Sequence, residues 1–215
     1  MAEWAIWCQS MSHKLAQLKH LLNKQLNSFN FQNNCLYAES LLVSDLMKSY
    51  GSPLYIYSKS QIAFNWNLFE KSFGNHPHLI CYAVKANSNI AVLNTLAKLG
   101  SGFDIVSLGE LERVIAAGGD PSKCVYSGVA KNEHSIQKAL EYGIYCFNVE
   151  SEGELDCIDS VASSLNMTAP ISIRVNPNVD ANTHPYISTG LAENKFGVAL
   201  ILPSQCLKKQ LYQKI

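Results

Sequence analysis

The chain of 215 residues is 47% hydrophobic and 16% charged, which suits a globular protein with a sizeable core, as one domain or one domain plus an appendage. Seventeen basic residues offset seventeen acidic ones, so no global field draws the chain to nucleic acid or anionic lipid, and it has no apolar run of about eighteen residues to span a bilayer. Seven cysteines (Cys8, Cys35, Cys81, Cys124, Cys146, Cys157 and Cys206), an odd set without a C-x-x-C pair, point to a reducing cytoplasm rather than a disulfide framework or a zinc site.

Residues 1–33 differ from the rest. Met11, Leu15, Leu18, Leu22, Leu26 and Phe29 fall at helical spacing, and Lys14, Lys19 and Lys24 meet no acid between Glu3 and Glu39. The pattern predicts a basic amphipathic helical extension. Such a helix lies on a membrane, docks on a partner or packs on the body, and the last is the commonest case. It carries no arginine and few hydroxyl residues, which argues against a transit peptide. Gly51 to Ser58 then reads as a turn and a short strand, and Ile62, Trp66, Phe69 and Phe73 share one helix face. His76 and His78 flank Pro77 in what reads as a solvated turn rather than a metal site.

From Leu79 onward strand and helix alternate. Strands are predicted over 79–84, 102–106, 124–127, 145–149 and 171–175, all short apolar runs of the kind buried on both faces of a parallel sheet. Between them, Ile90, Leu93, Leu96, Ala97 and Leu99 form an apolar stripe stopped by Gly100. Ser107-x-x-Glu110 and Ser151-x-x-Glu154 read as capping boxes, and Gly118-Gly119 and Gly143 fall where helices end. The fold class is therefore α/β, built from parallel βαβ units, closed as a barrel or open as a doubly wound sheet. No G-x-G-x-x-G follows the first strand and no G-x-x-x-x-G-K-[ST] occurs, which favours the barrel.

Lys85 is the most informative residue. The apolar run Leu79 to Val84 leads straight into it, and a turn with a helix-capping residue follows. On a buried strand end the amine would be desolvated, its pKa lowered and its neutral form made able to attack a carbonyl; the competing reading is a lysine snorkelling out to water.

Seven motifs then carry a resemblance. They are Tyr-Ala-Val-Lys-Ala-Asn (82–87), Phe-Asp-Ile-Val-Ser-Leu-Gly-Glu-Leu (103–111), Tyr-Ser-Gly-Val-Ala-Lys (126–131) and Phe-Asn-Val-Glu-Ser-Glu-Gly-Glu-Leu (147–155). Arg-Val-Asn-Pro (174–177), Thr-His-Pro-Tyr-Ile-Ser-Thr-Gly (183–190) and Glu-Asn-Lys-Phe-Gly (193–197) complete the series. In this order the chain resembles the diaminopimelate decarboxylases, pyridoxal 5'-phosphate (PLP) enzymes of the alanine-racemase-like barrel type. The 183–190 string points to that branch rather than to the ornithine branch, and the preface 36–57 is similar as well.

The resemblance implies PLP as cofactor and Lys85 as the catalytic lysine that holds it through a Schiff base. It also implies decarboxylation of meso-2,6-diaminopimelate to L-lysine, in lysine biosynthesis. Catalytic groups of a barrel sit at the C-terminal ends of its strands, where Lys85 stands. Asp104 reads either as a carboxylate holding Lys85 or a nearby base, or as a cap partner for the Ser107 turn. Arg174 reads as an inward guanidinium needing a partner such as Asp104, in an electrostatic role behind the substrate. His184 and Lys195 lie in a loop that touches substrate or solvates a turn. Lys131 reads as a helix-start residue, and Glu150 and Glu152 as first-turn acids favoured by the helix dipole.

The expected architecture is an incomplete PLP-binding (β/α)8 barrel, TIM-like, with about five of eight βα units. Residues 1–33 form the extension and 34–215 the truncated barrel domain, without the family's C-terminal β domain. The resemblance also places the histidine stacking on the cofactor ring, the glycine-rich phosphate loop and the glutamate facing the pyridine nitrogen beyond residue 215. The chain alone is then expected to be an incomplete enzyme, in need of a homodimer or complementing chain. Two other readings stand beside it: a non-catalytic remnant that pairs with a full-length decarboxylase, and a PLP-binding protein or racemase of the same barrel type.

Overall fold

The computed structural model describes residues 28–176 and 197–199. The chain divides into two compact units, Met1–His78 and Leu79–Ile215.

In the first unit, strands β1 (Phe29–Gln32), β2 (Cys35–Ala38) and β3 (Leu41–Leu42) form an antiparallel sheet in that order. Asn33 and Asn34 make the β1–β2 turn, both at positive φ (48° and 63°). Asparagine tolerates that conformation, and its twist matches the flanking strands. Phe29, the last position of the predicted helical stripe, thus belongs to a strand, opposite Ala38; positions 1–27 lie outside the described residues. Helices α1 (Val43–Tyr50) and α2 (Lys59–Phe73) follow, and 54–57 is not a strand, contrary to expectation.

Ser58 caps α2 by accepting the Gln61 N–H at 3.0 Å. Glu39 Oε1 in turn accepts from Ser58 Oγ at 2.7 Å, Ser60 Oγ at 2.8 Å and Ser60 N at 3.1 Å, which ties the β2–β3 turn to the start of the helix. The predicted apolar face of α2 is only partly realised: Trp66 is buried and Ile62 half-buried, whereas Phe69 and Phe73 are exposed, and Leu68, outside that face, is buried. Spacing tells which residues share a face, but not how much of it a neighbour covers. The Phe73 ring stacks on His78 with centroids 4.3 Å apart, and His78 Nε2 lies 3.0 Å from Glu70 Oε2. The His-Pro-His turn is thus hooked to α2.

The second unit is built on five parallel strands in sequential order: β4 (Cys81–Ala83), β5 (Gly102–Ile105), β6 (Cys124–Tyr126), β7 (Cys146–Val149) and β8 (Ile171–Ile173). Helices α3 (Ile90–Lys98), α4 (Leu108–Ala116), α5 (Glu133–Glu141) and α6 (Glu152–Ser164) connect them. Each helix is punctuated by its sequence. Asn89, Ser107, Asn132 and Ser151 cap the N-termini through their side-chain oxygens. Gly100, Gly118, Gly143 and Asn166 follow the C-caps at positive φ. The first four predicted strands and the helices between them therefore form as expected, and the fifth forms in part.

The core lies on the helix side of the sheet. Phe103, Ile105, Tyr126, Phe147 and Val149 from the strands are buried, as are Leu93, Leu111, Val114, Ile136 and Ile158 from the helices. Each such side chain contributes about 1.5–3 kcal/mol by leaving water. Gly119 is required here: a Cβ would come within 2.5 Å of Val114 Cγ1 and 2.9 Å of Phe103 Cε2.

The opposite face differs from expectation. Ala83, Asp104, Val125 and Cys146 are side by side in register, and they are only half-buried. Strands buried on both faces were expected; among the described residues only the helix face is sealed, because five strands form a sheet with two edges instead of a closed ring. The fifth predicted strand also breaks at Arg174. Its second part, β9 (Val175–Asn176), pairs in parallel with β10 (Val198–Ala199), an element not anticipated from sequence.

Candidate functional site

The C-terminal ends of β4 to β8 bring the informative residues together. Lys85 sits in a 3-10 turn, Val84–Ala86, that closes β4. Val84 is fully buried and anchors the turn, while Lys85 is exposed. Its amine has no hydrogen bond or ion pair with any described residue. Contrary to the expectation of a desolvated amine, Lys85 is exposed among these residues, because the turn carries it out of the strand ladder. The following loop is stapled. Asn87 Oδ1 accepts the Asn89 N–H at 3.0 Å, and Asn89 Oδ1 accepts that of Ala91 at 2.9 Å.

Asp104 pairs in register with Ala83, two residues before Lys85. It does not cap the Ser107 turn. Ser107 Oγ caps α4 by itself, and Glu110 Oε2 accepts the Val106 N–H at 2.7 Å. Asp104 Oδ1 instead accepts from Ser127 Oγ at 2.5 Å, and Ser127 Oγ accepts from Asn148 Nδ2 at 2.9 Å. Three strand ends are thereby bridged by one polar chain.

Arg174 pairs with Glu150, not with Asp104: its Nη1 lies 3.2 Å from Glu150 Oε1. The guanidinium side chain is 41% exposed and the Glu150 side chain 2% exposed. The expectation of a first-turn, helix-dipole acid at Glu150 is thus corrected, since Glu150 precedes the Ser151 cap and pairs with the cation that follows the next strand. Its Oε2 is buried and has no hydrogen-bond donor among the described residues.

Lys131 also differs from its reading as a helix-start residue. Its side chain is fully buried and its ammonium donates to Gly128 O at 2.6 Å, Asn148 O at 2.9 Å and Glu154 Oε1 at 2.5 Å. It also stands 5.4 Å from the Tyr126 ring centroid. Three acceptors satisfy all three N–H groups, the condition under which a lysine is tolerated in a core. Asn132, one residue on, is the actual cap of α5.

Three cysteines of the parallel sheet, Cys81, Cys124 and Cys146, stay as thiols at neutral pH. Burial pushes the Cys124 thiol up to about 12, and burial likewise raises Cys81 and Cys146. His184 and Lys195 lie outside the described residues. Ser127, Asn148 and the inward role of Lys131 were missed from sequence. The signal available was a repeat: 103–111 and 147–155 share Phe, Ser, Gly, Glu and Leu at matching places, with Asp104 and Asn148 in the same slot.

An exposed amine, unpaired among the described residues and standing at the end of a parallel strand, suits capture of an aldehyde, and the Arg174 guanidinium on the same rim suits an anionic group. Comparison with known proteins agrees. A family model described as pyridoxal-dependent decarboxylase, pyridoxal binding domain, matches residues 59–214. Diaminopimelate decarboxylases of Vibrio cholerae and Haemophilus influenzae are 61% and 60% identical over 174 and 175 residues, which is 80% and 81% of this chain and 42% of each relative. The structure of diaminopimelate decarboxylase from Helicobacter pylori complexed with L-lysine is 45% identical, with a TM-score of 0.73 over 80% of this chain and 43% of that one. That of the enzyme from M. jannaschii is 35% identical, with a TM-score of 0.77 over 86% and 44%. The chain thus spans well under half the length of the relatives it matches.

Proposed function

Because this chain belongs to the pyridoxal-dependent decarboxylases, through their pyridoxal-binding domain, we propose that it provides the cofactor-bearing part of a carboxy-lyase acting on meso-2,6-diaminopimelate and yielding L-lysine. The observation that carries the reading is Lys85, an exposed amine without a partner among the described residues, on the turn that ends the first strand of the parallel sheet. Bound PLP supplies the electron sink for the pair released when the carbon–carboxylate bond breaks.

The chain's own residues then have separate tasks. Lys85 would hold the cofactor through its amine. Asp104, one strand across, presents a carboxylate that orients the exchanging amines. Arg174 adds a positive charge at the rim, and Glu150 holds that guanidinium in place. His184 and Lys195 are assigned to the substrate side on the resemblance of their motifs alone. A second copy of the chain or another chain is the expected partner, in a cytoplasmic setting that suits the free thiols Cys35, Cys81, Cys124, Cys146 and Cys157. Among the described residues no helix is long and apolar enough to cross a membrane.

The test is reductive trapping. The chain is incubated with PLP, reduced with borohydride and mapped by peptide mass spectrometry, with Lys85→Ala as control. A pyridoxyl group on position 85 is expected. A pyridoxyl group on another lysine, or on none, refutes the reading.

A further inference from the structure

Asp104 and Asn148 hold the same slot in the repeated segments 103–111 and 147–155, on β5 and β7. Both reach one hydroxyl, Ser127 Oγ, at the end of the strand between them. The directions of these bonds follow from proton counting. A serine hydroxyl has a single proton, and an asparagine amide nitrogen only donates. With Asn148 Nδ2 donating to Ser127 Oγ at 2.9 Å, the serine proton is left for Asp104 Oδ1, 2.5 Å away. The opposite amide orientation would give the hydroxyl two acceptors and one proton. Asp104 is therefore held as an acceptor, with one oxygen pinned and Oδ2 without a donor among the described residues.

Both partners of Asp104 are themselves immobilised. The Ser127 N–H donates to Ile105 O at 2.8 Å, which continues the β5–β6 ladder. Gly128 turns the chain at φ 87°, where a Cβ would meet Val106 Cβ at 3.2 Å. The buried ammonium of Lys131 then clamps Gly128 O and Asn148 O together, so one cation fixes the residue after Ser127 and the backbone of Asn148. An aspartate in place of Asn148 would leave two carboxylates competing for one proton; the amide in that slot removes the conflict.

We infer that Ser127 and Asn148 are positioning residues that aim the free oxygen of Asp104 at the amine exchange around Lys85. The inference deepens the reading of Lys85 given above and rests on it for the nature of the ligand, but the coupling of Ser127 to Lys85 has a readout of its own.

In the full 215-residue chain, Lys85 is labelled with acetic anhydride across pH and quantified against exposed Lys98, then separately trapped with PLP and borohydride. Releasing the carboxylate changes the surroundings of the amine, so Ser127→Ala and Asn148→Leu are expected to change Lys85 labelling near pH 7 by roughly threefold, the scale of one charge-assisted hydrogen bond partly screened by water. Ser127→Thr, which keeps the hydroxyl, should restore the wild-type profile. Unchanged labelling in both Ser127→Ala and Asn148→Leu overturns the inference even where PLP is trapped on Lys85. A Ser127→Thr profile matching that of Ser127→Ala also overturns it, by showing that packing and not the hydroxyl is read. Altered labelling in a chain that traps no PLP at Lys85 supports the coupling and sinks the functional reading instead.

Discussion

Replacing Lys131 by methionine should be among the most damaging single changes in the second unit. Methionine has nearly the same length and packs well, so the change removes the charge and three N–H donors rather than volume. It strands Glu154 Oε1, whose side chain is 10% exposed, together with Gly128 O and Asn148 O. Breaking a buried ion pair from one side costs about 3–5 kcal/mol, because the remaining charge stays in a poorly solvated place. Against a total stability of about 5–15 kcal/mol this is a large fraction. Urea unfolding followed by circular dichroism should therefore show the midpoint falling steeply for Lys131→Met. Much of the loss should return in Lys131→Met combined with Glu154→Leu, where no carboxylate is left behind. The Lys138–Glu141 pair on the exposed face of α5 provides the contrast, and Lys138→Ala should move the midpoint far less. A Lys131→Met midpoint as close to wild type as that of Lys138→Ala would refute the clamp.

Two further outcomes follow from local geometry. Gly128→Ala forces a side chain into positive φ and against Val106, and should cost about 1–2 kcal/mol in the same unfolding assay, whereas Gly109→Ala meets open space and should not. Hydrogen bonds from Ser58 and then Ser60 hold the Glu39 carboxyl below its ordinary value of 4.5. A depressed folded value means that the tie to α2 is present above that ordinary value and is lost as pH falls through the lower, folded one. Amide exchange at Ser60 and Gln61, corrected for its intrinsic pH dependence, should accelerate on acidification below about pH 4.5. In Glu39→Gln, protection should be insensitive to pH in that window; protection in wild type that is flat through it would contradict the assignment.

The order of elements in the second unit was written locally. Short apolar runs separated by capping boxes and C-terminal glycines are satisfied one unit at a time, so β4 to β8 and α3 to α6 could be read in sequence order. Lys85 was legible for the same reason, as a cation that ends an apolar strand. What lay across strands was not. Charge alone makes Asp104 a candidate partner for Arg174, but the two stand three strands apart on β5 and after β8, and the parallel register puts Asn148 opposite Ser172, and so aligns Glu150 with Arg174 beyond it. Lys131 looked like a helix-start residue because nothing in its neighbours shows that β7 and α6 fold over it.

The amino-acid order alone thus determined which segments are strands, where each helix starts and stops, and which amine stands at the end of the first barrel strand. Those features depend on residues within one turn or one alternation of each other. Tertiary structure decided which polar groups share a proton, which charge is buried and which face of the sheet stays open. Partners there are set by strand register and by the packing of elements 17 to 24 residues apart, for which no local pattern codes.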